Sequence, residues 1–392
     1  AYSFYACEDP RIQFEETSQY SRDSHEFRIN TPQDRRLRLV AGLFYQESEH
    51  DFDFDWRIPT IKPGMNVSGD DVYFTTDQVR QDDETAVFGE LSFDFSDALT
   101  GTVGARFFET ESSIEGFVGT VFSGSPQVDV DQSESGSLFK VNLSYQPDPD
   151  RLVYATVSEG FRPGGVNRTS TSNIPLTYES DLVTNYELGW KTLFGDGTFR
   201  FNGAVFFMDW SDVQFTRFDP SESFLGLTQN AGQAEVLGFE TDISWLATDA
   251  LTLTGAVTIL QAELSEDFIQ SIGSSVPDAP AGTELPFIPD VKGYLNARYS
   301  FGLSRFDAFW NARVSYVGSS YNDLFIANRQ EQDAYALLNL SAGISGSDWT
   351  LTAYVRNVTD ERAELYRNAT DFDSRITTNQ PRTYGLTLSQ RF

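Results

Sequence analysis

The side chains that could do chemistry are spread along this chain without a catalytic arrangement. The two histidines, His25 and His50, have no cysteine partner and no His-x-x-x-His spacing, so a zinc-type site is not expected. No serine lies at the strand-to-helix turn that a nucleophile elbow requires. We therefore expect no catalytic residue, no bound metal and no cofactor, and we predict that the protein is not an enzyme.

Carboxylates are the most frequent of the reactive groups. Asp51, Asp53 and Asp55 alternate with aromatic residues, so we expect them to continue a strand with their carboxylates on one face. Two acidic pairs, at 70–71 and 82–83, follow in a predicted loop. Calcium binds oxygen-rich loops, but no Asp-x-Asp-x-Asp-Gly loop is present, so a solvated acidic loop is favoured and calcium stays open.

The charge balance excludes one class of partner. The chain has 28 Lys+Arg against 58 Asp+Glu, a formal net charge of −30. No basic face is therefore expected for nucleic acid, whose phosphates must be neutralised on binding. The acidic total mildly disfavours an anionic ligand as well, although local charge can override it. Cys7 is the single cysteine, so no disulfide can form within this chain.

The mean hydropathy of the chain is low, but its apolar residues follow a regular pattern. No run of 18 apolar residues predicts a transmembrane helix, and residues 1–10 do not have the pattern of a signal peptide. Barrel strands need only about 9–11 residues of alternating polarity and aromatic girdles at both lipid interfaces. A mean hydropathy of −0.35 with 14 % aromatic residues is typical of such strands.

The alternation can be followed residue by residue. In a soluble sandwich the apolar face would meet a core, whereas in an outer-membrane barrel it faces lipid and the polar face lines the lumen. Runs such as 199–210 and 85–95 exceed the usual sandwich strand of about 5–6 residues, which favours the barrel. In the segment from Leu251, one face carries Leu251, Leu253, Gly255, Val257 and Ile259, and the other carries Thr252, Thr254, Ala256 and Thr258.

Short turns and long polar loops alternate between the predicted strands, as in an antiparallel up-and-down barrel. Single-chain bacterial barrels almost always have an even number of strands, and an open edge cannot face hydrocarbon. We therefore interpret the chain as the C-terminal part of a larger barrel whose earlier strands are not in this sequence. The fifteen predicted strands are 11–30, 36–50, 84–96, 98–115, 134–146, 151–161, 178–193, 198–217, 230–246, 250–265, 288–301, 304–318, 334–345, 349–359 and 381–392. The predicted long loops are 51–83, 116–133, 162–177, 218–229, 266–287, 319–333 and 360–380.

Several strings resemble the signatures of TonB-dependent outer-membrane receptors, in the same order and spacing. They are YATVSEGFRPGGVN at 154–167, NYELGWK at 185–191, NAG at 230–232 with GFE at 238–240, RNVTDE at 356–361, and PRTYGL at 381–386 running to the terminal Phe392. The resemblance covers nearly the whole chain.

The resemblance implies a 22-stranded barrel closed by a plug domain. Residues 1–392 would be the C-terminal portion of that barrel, and the plug would lie outside this sequence. Such a receptor imports a scarce, large nutrient with energy from TonB; a ferric siderophore is the default cargo, with vitamins, oligosaccharides and other metal chelates open. The implied location is the bacterial outer membrane. The implied partners are outer-membrane lipid and lipopolysaccharide, the TonB complex through the plug, the barrel-assembly machinery through Phe392, and a small-molecule or metal-chelate ligand.

Ligand binding by such a receptor is expected to use aromatic and arginine side chains of the long loops, because both give strong recognition at low entropic cost. The alternative for each residue is a place in the lipid-interface girdle or in loop packing. The candidates are Trp56, Tyr73, Arg162, Arg168, Phe218, Phe224, Tyr321, Phe325, Tyr366 and Arg367.

Two other functions remain open from the sequence. A passive porin-type channel would have about 16–18 strands and an open lumen, and the predicted strand count is close to that number. A surface-anchored binding barrel would use its strands only to hold its loops. A plug and a TonB box upstream of residue 1 would distinguish uptake from both.

Overall fold

The protein is all-β. The computed structural model describes residues 11–69, 71–120, 127–169, 174–217, 225–269, 275–368 and 375–391. No helix in these ranges has the length and hydrophobicity to cross a membrane. In chain order the strands are β1 (Gln13–Asn30), β2 (Leu37–Arg57), β3 (Val72–Asp94), β4 (Leu99–Thr120), β5 (Gln127–Asp148), β6 (Arg151–Arg162), β7 (Gly165–Val166), β8 (Thr177–Tyr178), β9 (Asp181–Phe194), β10 (Phe199–Ser211), β11 (Gln214–Arg217), β12 (Leu227–Asn230), β13 (Ala234–Leu246), β14 (Leu251–Leu264), β15 (Val291–Leu303), β16 (Phe306–Val317), β17 (Ser320–Tyr321), β18 (Glu331–Gln332), β19 (Tyr335–Ser345), β20 (Trp349–Arg356), β21 (Glu364–Arg367), β22 (Ile376–Thr378) and β23 (Thr383–Gln390).

Fifteen strands form one antiparallel sheet, and each of them pairs with the next strand of that sheet in chain order. The order is β1-β2-β3-β4-β5-β6-β9-β10-β13-β14-β15-β16-β19-β20-β23, which confirms the predicted fifteen-stranded up-and-down topology. The remaining strands form four small hairpins, β7–β8, β11–β12, β17–β18 and β21–β22, inside the long connections. The sequence did not indicate these hairpins, because each strand has only two to four residues.

The two faces of the sheet differ in polarity. Residues directly opposite each other in an antiparallel ladder point to the same side. Val257 lies opposite Thr241 and Gly293, whereas Thr254 lies opposite Ser244 and Asn296, so the structure separates them as predicted. We call the face of Val257 the outer face. Its apolar side chains are widely exposed, among them Leu43 (58 %), Val205 (44 %), Ile259 (47 %) and Leu295 (55 %).

The opposite face, the inner face, is the one on which the long connections pack. These connections lie at one end of the sheet, which we call the loop end, and buried side chains cluster there. One cluster includes Trp56, Ile58, Tyr73, Phe74 and Ile114, and a second includes Phe206, Ala234, Leu264, Phe268 and Phe325. The other end, with the short connections, is the turn end.

Aromatic pairs line the outer face near the turn end. Phe199 packs edge-on against Trp245 at 6.3 Å between ring centroids, Tyr299 stacks on Trp310 at 5.9 Å, and Phe306 meets Trp349 at 5.6 Å. This is the position of an interfacial aromatic girdle in a barrel.

The length of the apolar band can be measured on β2. Its outer face is apolar or aromatic from Leu37 to Tyr45 and then acidic from Glu47 to Asp55. Nine residues of apolar outer face are about the length needed to cross a bilayer as a tilted strand. The carboxylates of Asp51, Asp53 and Asp55 therefore lie on one face, as expected, and that face is the outer one.

The loop boundaries predicted for this region were wrong. The predicted loop 51–83 contains the end of β2 and the first half of β3, and residues 116–120 and 127–133 of the predicted loop 116–133 belong to β4 and β5. These strands have 21 to 23 residues. Beyond the apolar band the outer face no longer needs to be apolar, but backbone pairing continues, so the apolar outer face on which the boundaries depended ends before the strand does.

Candidate functional site

Arg168 forms the centre of a polar site on the inner face at the loop end. It lies in the connection after β7, and its guanidinium sits 4.0 Å from the ring centroid of Phe52. One of its nitrogens lies 3.1 Å from His50 Nδ1, and Gln78 Nε2 donates to the Arg168 carbonyl oxygen at 2.7 Å. The positions of His50, Phe52 and Gln78 follow from strand parity, since all three are inner-face residues of β2 and β3.

The hydrogen bonds around His50 assign its protonation. Because the guanidinium can only donate, His50 Nδ1 accepts, and the ring proton is on Nε2, which donates to Ser18 Oγ at 2.8 Å. A neutral imidazole thus holds Arg168 without neutralising its charge.

A second cation, Arg80, lies beside Arg168 and pairs with Asp82 at 2.8 Å. Burial and the charge of Arg80 lower the pKa of Arg168 to about 10. Within the described ranges no carboxylate lies within ion-pair distance of Arg168, although most arginines at this end have one. An anion would fit this arrangement, because it would reduce the repulsion between the two guanidiniums and could accept bidentate hydrogen bonds from Arg168.

Two of the predicted ligand residues are in the buried cluster above this site. Trp56 is 6 % exposed and Tyr73 is fully buried, both within strands rather than a loop. Trp56 packs against Phe14 and Phe74 with centroid separations of 5.2 and 5.4 Å. Both side chains belong to the first buried cluster.

Arg162 is held by a buried carboxylate. Asp181, 2 % exposed, accepts hydrogen bonds from the Arg162 backbone nitrogen at 3.1 Å, from its Nε at 2.8 Å and from a second guanidinium nitrogen. The Gln214 backbone nitrogen also donates to Asp181, at 3.1 Å. The charge of Arg162 is therefore matched within the chain.

The remaining described candidates lie in the later loops and do not reach the Arg168 site. Tyr321 lies under the guanidinium of Arg329 at 3.6 Å, and Phe325 is 3 % exposed in the second cluster. Tyr366 is 49 % exposed and stacks on Phe287 at 5.3 Å. Arg367 pairs with Glu364 of its own hairpin, which raises its pKa.

Three predicted residues, Phe218, Phe224 and Phe392, lie outside the described residues. Sequence reasoning brought only Arg168 into the site and missed His50, Phe52 and Arg80. Strand parity could have grouped His50, Phe52 and Trp56 on one face, but no local signal links Arg168 to them across 118 residues. Among the described residues no group of three His, Cys, Asp or Glu could hold a metal ion.

Comparison with known proteins gives the fold a family. The profile of the family described as TonB dependent receptor-like, beta-barrel matches residues 2–358. The pesticin receptor of Yersinia pestis is 25 % identical over 376 residues, 94 % of this chain and 51 % of that protein. The metal-pseudopaline receptor CntO of Pseudomonas aeruginosa is 26 % identical over 342 residues, 83 % of this chain and 45 % of that protein. The chain thus spans about half the length of the curated relatives it matches.

A solved structure agrees in fold. The ferric yersiniabactin uptake receptor FyuA from Yersinia pestis superimposes with a TM-score of 0.82 and 20 % identity, covering 97 % of this chain and 55 % of that one.

Proposed function

We propose, from the premise that the chain belongs to the TonB-dependent receptor β-barrel family, that it is the C-terminal part of the barrel of an outer-membrane receptor that imports a metal chelate. The cargo is a ferric siderophore or a similar metal complex, and TonB supplies the energy through a plug domain outside this sequence. The family is one of outer-membrane transporters without enzymatic activity. On this assignment the loop end of the sheet faces outward and the turn end faces the periplasm.

The observation that carries the choice of cargo is the Arg168 site. Arg168 has no carboxylate within ion-pair distance among the described residues and is held on the inner face by His50, Phe52 and Gln78, although the chain has a net charge of −30. Metal chelates built from carboxylates or catecholates carry negative charge, which a guanidinium can bind, and catecholates add flat rings that can pack against an aromatic face. The relatives named for a ferric and a metal-pseudopaline complex support the same class of cargo.

Replacing Arg168 with glutamine is expected to weaken surface binding about tenfold, which corresponds to the loss of one charge-assisted contact. The probes are the ⁵⁵Fe complexes of citrate and of yersiniabactin, measured on de-energised cells that display the full-length protein. Arg362→Gln is the matched control, because Arg362 is a 57 % exposed loop arginine away from the site. Wild-type cells that bind neither complex, or a variant that binds as well as wild type, would contradict the assignment.

A further inference from the structure

The inner face of the last six strands of the sheet has a charge opposite to that of the whole chain. In β14, β15, β16, β19, β20 and β23, ladder register places the inner-face residues unambiguously. The charged residues on that face are Asp307 and the four cations Lys292, Arg298, Arg313 and Arg356, which we call the basic strip.

The cations of the basic strip are not neutralised by the protein. None of the four has a carboxylate within ion-pair distance in the part of the chain that the structure describes. Instead, Arg298 lies 3.8 Å from the Phe309 centroid, Arg313 lies 4.0 Å from that of Tyr294, and Arg356 lies 4.9 Å from that of Tyr354. A guanidinium that rests on a ring keeps the N–H donors of its edge for another partner.

On the inner face of the first strands, by contrast, several cations are paired with carboxylates. There Arg38 pairs with Asp94, Arg106 with Glu84, and Lys140 with Glu90 at 2.9 Å. Most inner-face cations of β1 to β6 are therefore matched with carboxylates, whereas those of the basic strip are not. Arg22 of β1 is an exception among the first strands, since it lies 5.4 Å from the Tyr20 ring centroid and has no carboxylate within ion-pair distance in the described ranges.

Three cations of the basic strip lie at different heights along β15 and β16, and Arg356 lies two strands further around the sheet, on β20. Arg298 lies opposite Asn311, Arg313 lies opposite Asn296 and Asn339, and Lys292 lies opposite Val317, nearest the loop end. Six residues separate Lys292 from Arg298, so the strip extends over about 20 Å at about 3.4 Å per residue. Neighbouring cations of the basic strip are thus close enough for one ligand to contact the next cation before it leaves the previous one.

We propose that the basic strip is a transit site for an anionic metal chelate, a polycarboxylate or catecholate complex that has left the Arg168 site and moves along the barrel wall. The inference rests on the proposed function. Several weak, exchangeable contacts suit passage better than one tight site, because a permeating ligand must be able to leave as well as enter. The strip also explains how a chain of net charge −30 could pass an anion, since local charge overrides the total.

The test is energised uptake by cells that display the full-length protein, with the ⁵⁵Fe complexes of citrate and of yersiniabactin as probes. We expect the double variant Arg298→Gln/Arg313→Gln to lower the maximal uptake rate at least about fivefold and to leave surface binding within about twofold of wild type. Arg298→Lys/Arg313→Lys is expected to recover most of the rate because it restores the charge. Lys191→Gln, which removes one positive charge from the inner face of β9, is the control and should behave as wild type.

Each of the other possible results contradicts either the proposed function or the proposed role of the basic strip. If wild-type cells take up neither complex, the proposed function fails and the strip proposal with it. If wild-type cells take up a complex and the double glutamine variant matches their rate, the strip proposal alone is wrong. If the double variant loses uptake together with a lower thermal midpoint of the purified protein, the strip is a docking surface for an acidic domain inside the barrel, which also contradicts transit.

Discussion

Replacing Val257 with arginine is expected to destabilise the folded barrel in lipid by about 2–4 kcal/mol, the cost of an arginine on the lipid face near the bilayer midplane. Val257 is an outer-face residue of β14, opposite Thr241 and Gly293, and it lies within the apolar outer-face stretch from Leu251 to Ile259. A guanidinium at this depth must lose its hydration or drag water into the bilayer. Leu253→Arg should have a similar cost, because Leu253 and Val257 lie equally far from the middle of that stretch.

The matched control for this variant is Thr254→Arg. Thr254 is on the same strand but faces inward, opposite Ser244 and Asn296, so its replacement should cost much less. The measurement is the free energy of unfolding of the full-length protein in lipid vesicles, followed by denaturant titration. Equal losses for Val257→Arg and Thr254→Arg would show that the outer and inner faces have been assigned wrongly.

Replacing Asp181 with alanine is expected to destabilise the loop end by about 3 kcal/mol. The buried carboxylate accepts from the backbone nitrogens of Arg162 and Gln214 and from the Arg162 guanidinium, and it joins β6, β9 and β11 at one point. Alanine would leave these donors without a partner, and each unsatisfied buried donor costs about 1–3 kcal/mol. The guanidinium reduces the total because Arg162 is half exposed and can turn to water.

Thermal unfolding combined with limited proteolysis at the loop end measures this effect. Glu179→Ala is the control, since Glu179 lies two residues away with its side chain exposed. Asp181→Asn should fall between the two, because an amide oxygen can still accept from one of the backbone nitrogens. A midpoint for Asp181→Ala that equals that of Glu179→Ala would mean that Arg162 is free to bind a ligand, as the sequence suggested.

The sheet was largely predictable because each strand has a local signature. In β14 a period of two separates Val257 from Thr254 without any knowledge of neighbours. In the loop-end halves of β2 to β5 the outer face meets water and is no longer apolar. In β2, for example, the outer-face residue Asp53 is an acid and its neighbour Phe54 is aromatic, so an apolar outer face does not mark the strand there. Strand length there is set by pairing with the adjacent strand, which a single sequence does not display.

The site was predictable only in part, because its residues are distant in the sequence. Arg168 could be proposed from its place in a polar loop, but His50 and Gln78 reach it from two strands near the other end of the chain. Phe325 looked like a loop aromatic and is instead packed on Phe215 and Phe268 of two other loops. Aromatic loop residues serve ligand binding and loop packing equally well, so residue type alone does not separate the two.

Uptake of the ⁵⁵Fe complexes of citrate and yersiniabactin by cells with and without TonB tests the account most directly. Cells that display the full-length protein are expected to bind a complex in both backgrounds and to accumulate iron inside only when TonB is present. Equal accumulation in both backgrounds would indicate a passive channel. Binding without accumulation in the TonB-containing cells would indicate a surface-anchored binding barrel, and either result would contradict energised import.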